Sequence, residues 1–364
     1  MTNLDPGFYD LDDLLRQLAD RDGSDLYLAV DAKPSIAVDG ELVEIGPEAI
    51  FPVAMDRIAR QATTDAQYAE LIAKLEINLA YKVDHWRYRI NLYHQRSTLA
   101  LVARLIRPNI LTVGQLGLPD VLNQVVMQER GIILVTGATG SGKSTTLAAM
   151  IDYRNINSTG HIVTIEDPVE FVHEHKSCIV SQREVGIDTV SFDEALKSAL
   201  RQAPKVILIG EIRDSATAKF AIHAADTGHL VLATLHTNSA NQTLERIMNL
   251  FPPEQERQTL MQLGMNLRAI ICQRLVPSLT GGRAAAVEIL INTPRAQDLI
   301  MQGNVQELKN VMAKGGRDGM QSFDGALHLL VQEKKIDEET ALKFADSAND
   351  LKLRLKGIGG SGFA

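Results

Sequence analysis

The sequence predicts an α/β protein built from two units. An N-terminal α+β module comes first, and a core in which strands and helices alternate around a phosphate loop follows. Three observations carry this expectation. Residues 137–144, Gly-Ala-Thr-Gly-Ser-Gly-Lys-Ser, fill the pattern G-x-x-x-x-G-K-[ST] without a mismatch, directly after the apolar run at 131–136. From residue 120 onward, β-rich runs and helical patterns alternate, as they do around a parallel sheet. The first hundred residues instead show groups of strands interrupted by helices, the rhythm of an α+β module. A chain of 364 residues is comfortable for two such units.

The elements follow in order. The leucines of 11–18 have helical spacing, and 25–30 and 35–38 read as strands. Asp39-Gly40 is a hairpin turn into 41–44. Helical stretches at 52–61 and 64–73 precede β-like runs at 77–83, 86–93 and 99–105. This N-terminal domain spans 1–106, and Arg107-Pro-Asn109 opens a linker over 107–119. In the core, 120–292, strands are expected at 132–136, 161–166, 178–181, 206–209, 230–235 and 285–291. Ser191-Phe-Asp-Glu194 is a capping box opening a helix through Arg201. Leu260, Leu263, Leu267, Ile270 and Ile271 share one helical face and predict a long helix over 253–275. A helical region at 293–356 and a flexible, Gly-rich tail at 357–364 complete the chain.

Composition excludes several classes. No apolar run approaches the roughly 20 residues that cross a bilayer. The first residues have neither the basic start nor the apolar stretch of a signal peptide. The two cysteines, Cys178 and Cys272, form no C-x-x-C pair, which argues against disulfide or zinc frameworks and suits a reducing cytosol. A net charge of −8 speaks against sequence-independent nucleic-acid binding, so no nucleic acid is expected as partner.

The chemistry-bearing residues start with the loop. Gly137, Gly140 and Gly142 let backbone N–H groups of Ala138, Thr139, Ser141 and their neighbours curl around a phosphate. The helix that opens at Thr145 adds its positive dipole end. Lys143 can reach the β- and γ-phosphates, and Ser144 can ligate Mg²⁺. Val206-Ile-Leu-Ile-Gly-Glu211 is an apolar strand ending in an acid, the arrangement of a Walker B segment, with glycine at 210 where many such enzymes carry Asp. Glu211 is therefore a candidate for holding Mg²⁺. Ile162-Val-Thr-Ile-Glu-Asp-Pro-Val-Glu170 runs into three acids around Pro168, any of which could polarise water. His229 and His236 bracket the strand at 230–235, and a histidine at its exit can sense a γ-phosphate. Lys143, Glu211 and His236 all follow apolar strands and are expected on one sheet edge. Arg87 and Arg89 share one face of a strand, with Arg104 on the next.

Taken together the motifs resemble the secretion ATPases, and within them the type IV pilus retraction (twitching motility) ATPases. The blocks that carry the resemblance are the phosphate loop, Thr164-Ile-Glu-Asp-Pro-Val-Glu-Phe171, Ser181-Gln-Arg-Glu-Val185, Ile207-Leu-Ile-Gly-Glu-Ile-Arg-Asp214 and Thr227-Gly-His-Leu-Val-Leu-Ala-Thr-Leu-His236. The resemblance implies a PAS-like N-terminal domain followed by a RecA-like ATPase core and a helical C-terminal region. It implies ATP and Mg²⁺ as cofactors, Glu170 as the catalytic glutamate, Glu211 as the Walker B acid, and His229 and His236 as the histidine-box pair. Arg89 and Arg104 correspond to arginines that reach nucleotide at a subunit interface, and Gly210 to a family trait. It further implies a homo-hexamer in the cytoplasm, peripherally associated with the inner membrane at the pilus base. Its partners there are a principal retraction ATPase and the inner-membrane platform protein. The absence of a four-cysteine zinc insertion favours retraction over extension. Arg295-Ala-Gln-Asp-Leu-Ile300, in place of the principal motor's Ala-Ile-Arg-Asn-Leu-Ile, points to the accessory branch. The alternatives are a coupling ring that hydrolyses little on its own and a related conjugation-type ATPase. A GTPase would need an Asn-Lys-x-Asp motif, which the chain lacks.

Overall fold

The computed structural model describes residues 9–38, 41–106 and 109–357. The Asp39-Gly40 turn, Arg107, Pro108, the first eight residues and residues 358–364 lie outside the described residues. Contacts divide the chain into two units: one runs through Asn109 and also counts Glu170–Val172, and the other holds the rest from Ile110 onward.

The first unit contains α1 (Leu11–Asp20), β1 (Asp25–Ala29), β2 (Ser35–Val38), β3 (Glu41–Glu44), α2 (Pro52–Ala62), α3 (Asp65–Lys74), β4 (Glu76–Val83), β5 (Trp86–Gln95) and β6 (Thr98–Ile106). The strands form one antiparallel sheet in the order β3-β2-β1-β6-β5-β4. The α1 leucines at 11, 14, 15 and 18 are buried on one stripe, and Asp10 caps the helix by accepting the Asp13 N–H. Each such leucine contributes about 1.5–3 kcal/mol by leaving water. Thr64 and Gln67 form a reciprocal capping box at the start of α3. Along β5, Tyr88, Ile90 and Leu92 face the core while Arg87, Arg89 and Asn91 alternate to the other face.

The second unit contains α4 (Val121–Val126), β7 (Gly131–Thr136), α5 (Lys143–Asn157), β8 (Gly160–Glu166), β9 (Cys178–Glu184), α6 (Phe192–Ala199), β10 (Val206–Ile209), α7 (Ser215–Asp226), β11 (Leu230–Leu235), α8 (Ala240–Met248), α9 (Glu256–Asn266), β12 (Leu267–Pro277) and β13 (Arg283–Ile291). Five helices follow: α10 (Pro294–Met301), α11 (Leu308–Lys314), α12 (Phe323–Gln332), α13 (Glu338–Phe344) and α14 (Ala348–Leu355). The sheet order is β13-β12-β7-β11-β10-β8-β9. Only β13 runs antiparallel to its neighbour. Strands β7, β10 and β11 are buried at every position, which is why they read as unbroken apolar runs. Helices α4 and α5 cover one face, and α6 to α9 with the C-terminal helices cover the other. None of the described helices is long and apolar enough to cross a membrane.

One expectation changes. The helix foreseen over 253–275 ends at Asn266, and its second half is strand β12. Leu267, Ala269, Ile270 and Ile271 are buried on both sides, between β7 and β13, so a two-faced apolar run imitated helical spacing. Within the linker stretch, Val113 and Leu118 are buried in the core of the second unit. The capping residue Ser191 does accept the Glu194 N–H, at 3.3 Å, but α6 tightens into a 3₁₀ turn at Leu200–Gln202.

Glu288 on β13 is a buried acid, 2 % exposed, and burial pushes its carboxyl up to about 7 from an ordinary 4.5. The folded state holds the proton up to a higher pH than the unfolded chain. Wild-type stability therefore falls as pH rises from about 4.5 to about 7 and carries the full penalty above that. Gln at this position does not titrate. The stability of Glu288→Gln relative to wild type is expected to rise by up to about 3 kcal/mol between pH about 5 and about 8, measured by denaturant unfolding at both pH values.

Candidate nucleotide site

The parallel register decides where the functional residues emerge. Thr136, Leu235 and Cys272 stand in one row across β7, β11 and β12, and Ala233, Ile209 and Ile165 in another across β11, β10 and β8. The exits of β7, β11, β10 and β8 therefore share one edge, where ligands of open α/β sheets gather. The phosphate loop leaves β7 there, Glu211 follows β10, His236 follows β11, and Glu166 ends β8.

The loop's shape depends on its glycines and on β12. Gly140 and Gly142 adopt φ of 74° and 88°, the left-handed region. A Cβ at Gly137 would stand 2.4 Å from Gln273 O, and one at Gly142 would stand 2.8 Å from Gln273 Nε2. Gln273 also accepts the Thr146 hydroxyl at 2.6 Å, so β12 buttresses both the loop and the first turn of α5. Lys143 Nζ donates to the Gly137 and Ala138 carbonyls at 2.8 and 3.0 Å, which orients the ammonium over the cradle. Ser141 Oγ is buried with no hydrogen-bond partner, as a donor aimed at a ligand would be. Ala138 and Thr139 form the rim between the first two glycines, and Ser144 and Thr145 open α5 behind Lys143. Beside the first turn lies a cavity of about 290 Å³, walled by Leu116, Leu118, Leu275 and Ala285, with Thr145 and Arg283 at its polar side. Arg283 donates to Gly140 O at 3.3 Å.

At the β10 and β11 exits the charges are paired. Glu211 accepts from Arg213 Nε at 2.6 Å and lies 3.4 Å from His236 Nε2, and Arg213 reaches Asp167 at 3.5 Å. Its hydrogen bond to Glu211 raises the Arg213 guanidinium above its ordinary value. A side chain at Gly210 would be crowded: a Cβ would stand 3.1 Å from Ile165 O and 3.3 Å from Glu166 Cα, so the β8 backbone would have to give by a few tenths of an ångström. Its N–H donates to Ile165 O at 2.8 Å, and its carbonyl accepts the Thr234 hydroxyl. Among the three acids of the β8 loop, Glu166 accepts from Thr164 Oγ1 and Gln182 Nε2, Asp167 faces Arg213, and Glu170 is exposed and groups with the first unit. Among the described residues no three His, Cys, Asp or Glu side chains are placed to hold a metal. A cation here would share its ligands with phosphate oxygens, as Mg²⁺ commonly does.

His229 does not join this edge. It precedes β11, its carbonyl accepts the Gly131 N–H at 3.0 Å, and its Nδ1 lies 3.0 Å from Ala224 O. A strand separates it from His236, roughly 20 Å at about 3.3 Å per residue. The two histidines bracket β11, so His236 stands at the edge of the phosphate loop and His229 at the opposite one. In the first unit, Arg89 and Arg104 face each other across β5 and β6, and Arg104 faces Asp25 across β1. Arg104 Nε donates to the buried Asp25 carboxylate at 2.7 Å, which raises the guanidinium above its ordinary value and offsets the repulsion of the paired arginines. Gln273, Arg213 and Arg283 were not singled out from the sequence. Gln273 was masked by the helical reading of 253–275, although a polar residue inside Ala269-Ile-Ile-Cys-Gln-Arg-Leu-Val276 is itself a signal.

A phosphate loop, an acid and a histidine on one parallel edge define a P-loop nucleoside-triphosphate hydrolase. The family model described as "Type II/IV secretion system protein" matches residues 10–329. The chain is 46% identical to the type IV pilus ATPase PilU of Pseudomonas aeruginosa over 94% of its length and 90% of that protein's. It is 42% identical to the type IV pilus retraction ATPase PilT of the same organism, over 91% of this chain and 97% of that one. The crystal structure of the pilus retraction motor PilT with bound ADP superposes with a TM-score of 0.88 at 36% identity, covering 94% of this chain and 99% of that one. The chain belongs to the type II/IV secretion system protein family, in its PilT/PilU group of pilus retraction ATPases. It is an ATP hydrolase and a type IV pilus motor ATPase.

The close approach at Gly210 yields a direct test. Gly210→Asp, which restores the acid common in other P-loop enzymes, is expected to lose about 1–3 kcal/mol of stability through crowding against the Ile165–Glu166 backbone. Urea unfolding midpoints measure the difference.

Proposed function

We propose that the chain is a Mg²⁺-dependent, homo-hexameric ATPase that powers type IV pilus retraction as an accessory to a principal retraction ATPase. It works at the cytoplasmic side of the inner membrane, against the pilus platform protein. The observation that carries the reading is the single sheet edge that gathers Lys143, Glu211 and His236, together with 46% identity to the type IV pilus ATPase PilU.

In this reading the backbone of 137–145 and the Lys143 ammonium hold the triphosphate, and the buried Ser141 hydroxyl gains an anionic partner. The apolar wall of Leu116, Leu118 and Leu275 takes the base. Ser144 and Glu211 would hold Mg²⁺, which would supply positive charge to the triphosphate. Arg213 pairs with the Glu211 carboxylate on one side, and the His236 ring lies 3.4 Å away on another. Glu170 accepts the proton of the attacking water. His236 donates to the γ-phosphate, so loss of that group frees the loop that follows β11. Arg89 and Arg104 of a neighbouring copy supply positive charge to the γ-phosphate, with Asp25 holding Arg104 in place. A closed ring gives every site such a neighbour.

Mixing inactive chains tests the shared site. Arg89→Ala/Arg104→Ala and Lys143→Ala chains are each expected to be dead alone, and mixing is expected to restore hydrolysis at interfaces that pair an intact loop with intact arginines. Full activity of the arginine variant by itself contradicts the arginine role. Mixed rings that form but stay dead contradict independent sites completed in trans.

A further inference from the structure

The loop that carries His236 is short, and its far end is anchored by a residue on another strand. Between β11 and α8 run only His236, Thr237, Asn238 and Ser239. Ser239 caps α8 by accepting the Gln242 N–H, and Thr243 ties back to Ser239 O at 2.8 Å and to the Thr237 hydroxyl at 2.7 Å. These bonds make the loop and the first turn of α8 one stiff piece. They do not fix that piece to the sheet.

Glu288 and Arg274 bond it to the sheet, beside a side-chain contact between Cys272 on β12 and Thr243. Glu288 Oε1 on β13 accepts the Ala240 N–H at 2.8 Å, and Arg274 Nη2 on β12 donates to Asn238 O at 3.3 Å. The first is the shorter, lies in the buried core, and places a carboxylate at the positive end of a helix. Glu288 pairs across β12 with Cys272, which pairs with Thr136, the last residue before the phosphate loop. The carboxylate thus measures the His236 loop against the same row that launches the loop of Lys143. The groups acting on it are Cys272 and Arg274 on β12, Lys309 on α11, and Asp346 after α13. Arg274 in turn pairs with Asp346 at 2.8 Å, so the C-terminal helices bear on the same anchor. The fold retains this acid where burial disfavours its charge, and its hydrogen bond goes to the start of α8.

We infer that Glu288 is a positioning residue for hydrolysis: by holding the Ala240 N–H it sets the height of the His236–Ser239 loop over the phosphate site. The inference rests on the proposed role of His236. Loss of the bond lets the loop ride outward with α8, which weakens an interaction made as the γ-phosphate departs and leaves nucleotide binding by the phosphate loop intact. The signature is a fall in kcat without a matching rise in KM.

The test uses the full chain and steady-state Mg-ATP hydrolysis, with melting curves to confirm folding. Glu288→Asp keeps the carboxyl group but withdraws the oxygen by one methylene, and Glu288→Gln keeps the reach and the accepting oxygen. We expect Glu288→Asp to lose about tenfold in kcat with KM within about twofold, and Glu288→Gln to stay within about threefold of wild type. Adding Glu288→Asp to His236→Ala should cost nothing further. The reverse order, with Gln the weaker enzyme, overturns the inference, as does wild-type kcat in Glu288→Asp. If His236→Ala loses activity while Glu288→Asp does not, only the anchoring role fails. If Glu288→Asp loses activity while His236→Ala does not, the histidine's role fails and takes the inference with it.

Discussion

Everything in the second unit depends on one constraint, the parallel pairing of β8, β10, β11 and β7 in register. Parallel strands need crossover helices, so each strand starts at one edge and ends at the other. Four consecutive exits then lie side by side, and a residue placed just after each strand lands in one small region. The phosphate loop, Glu211 and His236 meet for this reason and not because they are close in sequence. The same constraint sends His229 to the opposite edge, although it belongs to the same sequence block.

Local chemistry then refines what the register brings together. Strand β12 supplies Gln273, whose carbonyl and amide stand where any side chain at Gly137 or Gly142 would have to go. Gly210 continues the β10–β8 hydrogen bonding past the strand end by donating to Ile165 O, at a point where a Cβ would be crowded. Glu211, left as the acid of that strand, is held between a guanidinium and an imidazole. Glu288 and Arg274 continue the pattern one step outward, tying the histidine loop to β13, β12 and the C-terminal helices. In the first unit the paired Arg89 and Arg104 follow the same economy: one buried aspartate offsets a like-charge pair that would otherwise destabilise the sheet.

Much of this was legible in the sequence, because the features that carry it are local. The phosphate loop is a contiguous pattern between a strand and a helix, and buried parallel strands leave unbroken apolar runs such as 131–136 and 230–235. The strand alternation of β5 put Arg87 and Arg89 on one face and Tyr88 and Ile90 on the other, as the structure has it. What escaped was non-local or ambiguous. Strand β12 carries apolar residues at helical spacing and is identified only by its partners on both sides. Gln273 matters through what it touches 127 residues away, and Glu288 through a backbone N–H 48 residues away. His229 and His236, by contrast, were legible as the two ends of one strand, because the apolar run 230–235 lies between them.

The central claim is that the exits of β7, β10 and β11 form one phosphate-binding edge. Hydrogen–deuterium exchange of the purified chain, with and without Mg-ATP, measures it most directly. The account predicts that Mg-ATP slows exchange in peptides covering 137–145, with further protection at 211–213 and 236–239 and none around His229. Unchanged exchange across 137–145, with nucleotide bound and protection elsewhere, would contradict it.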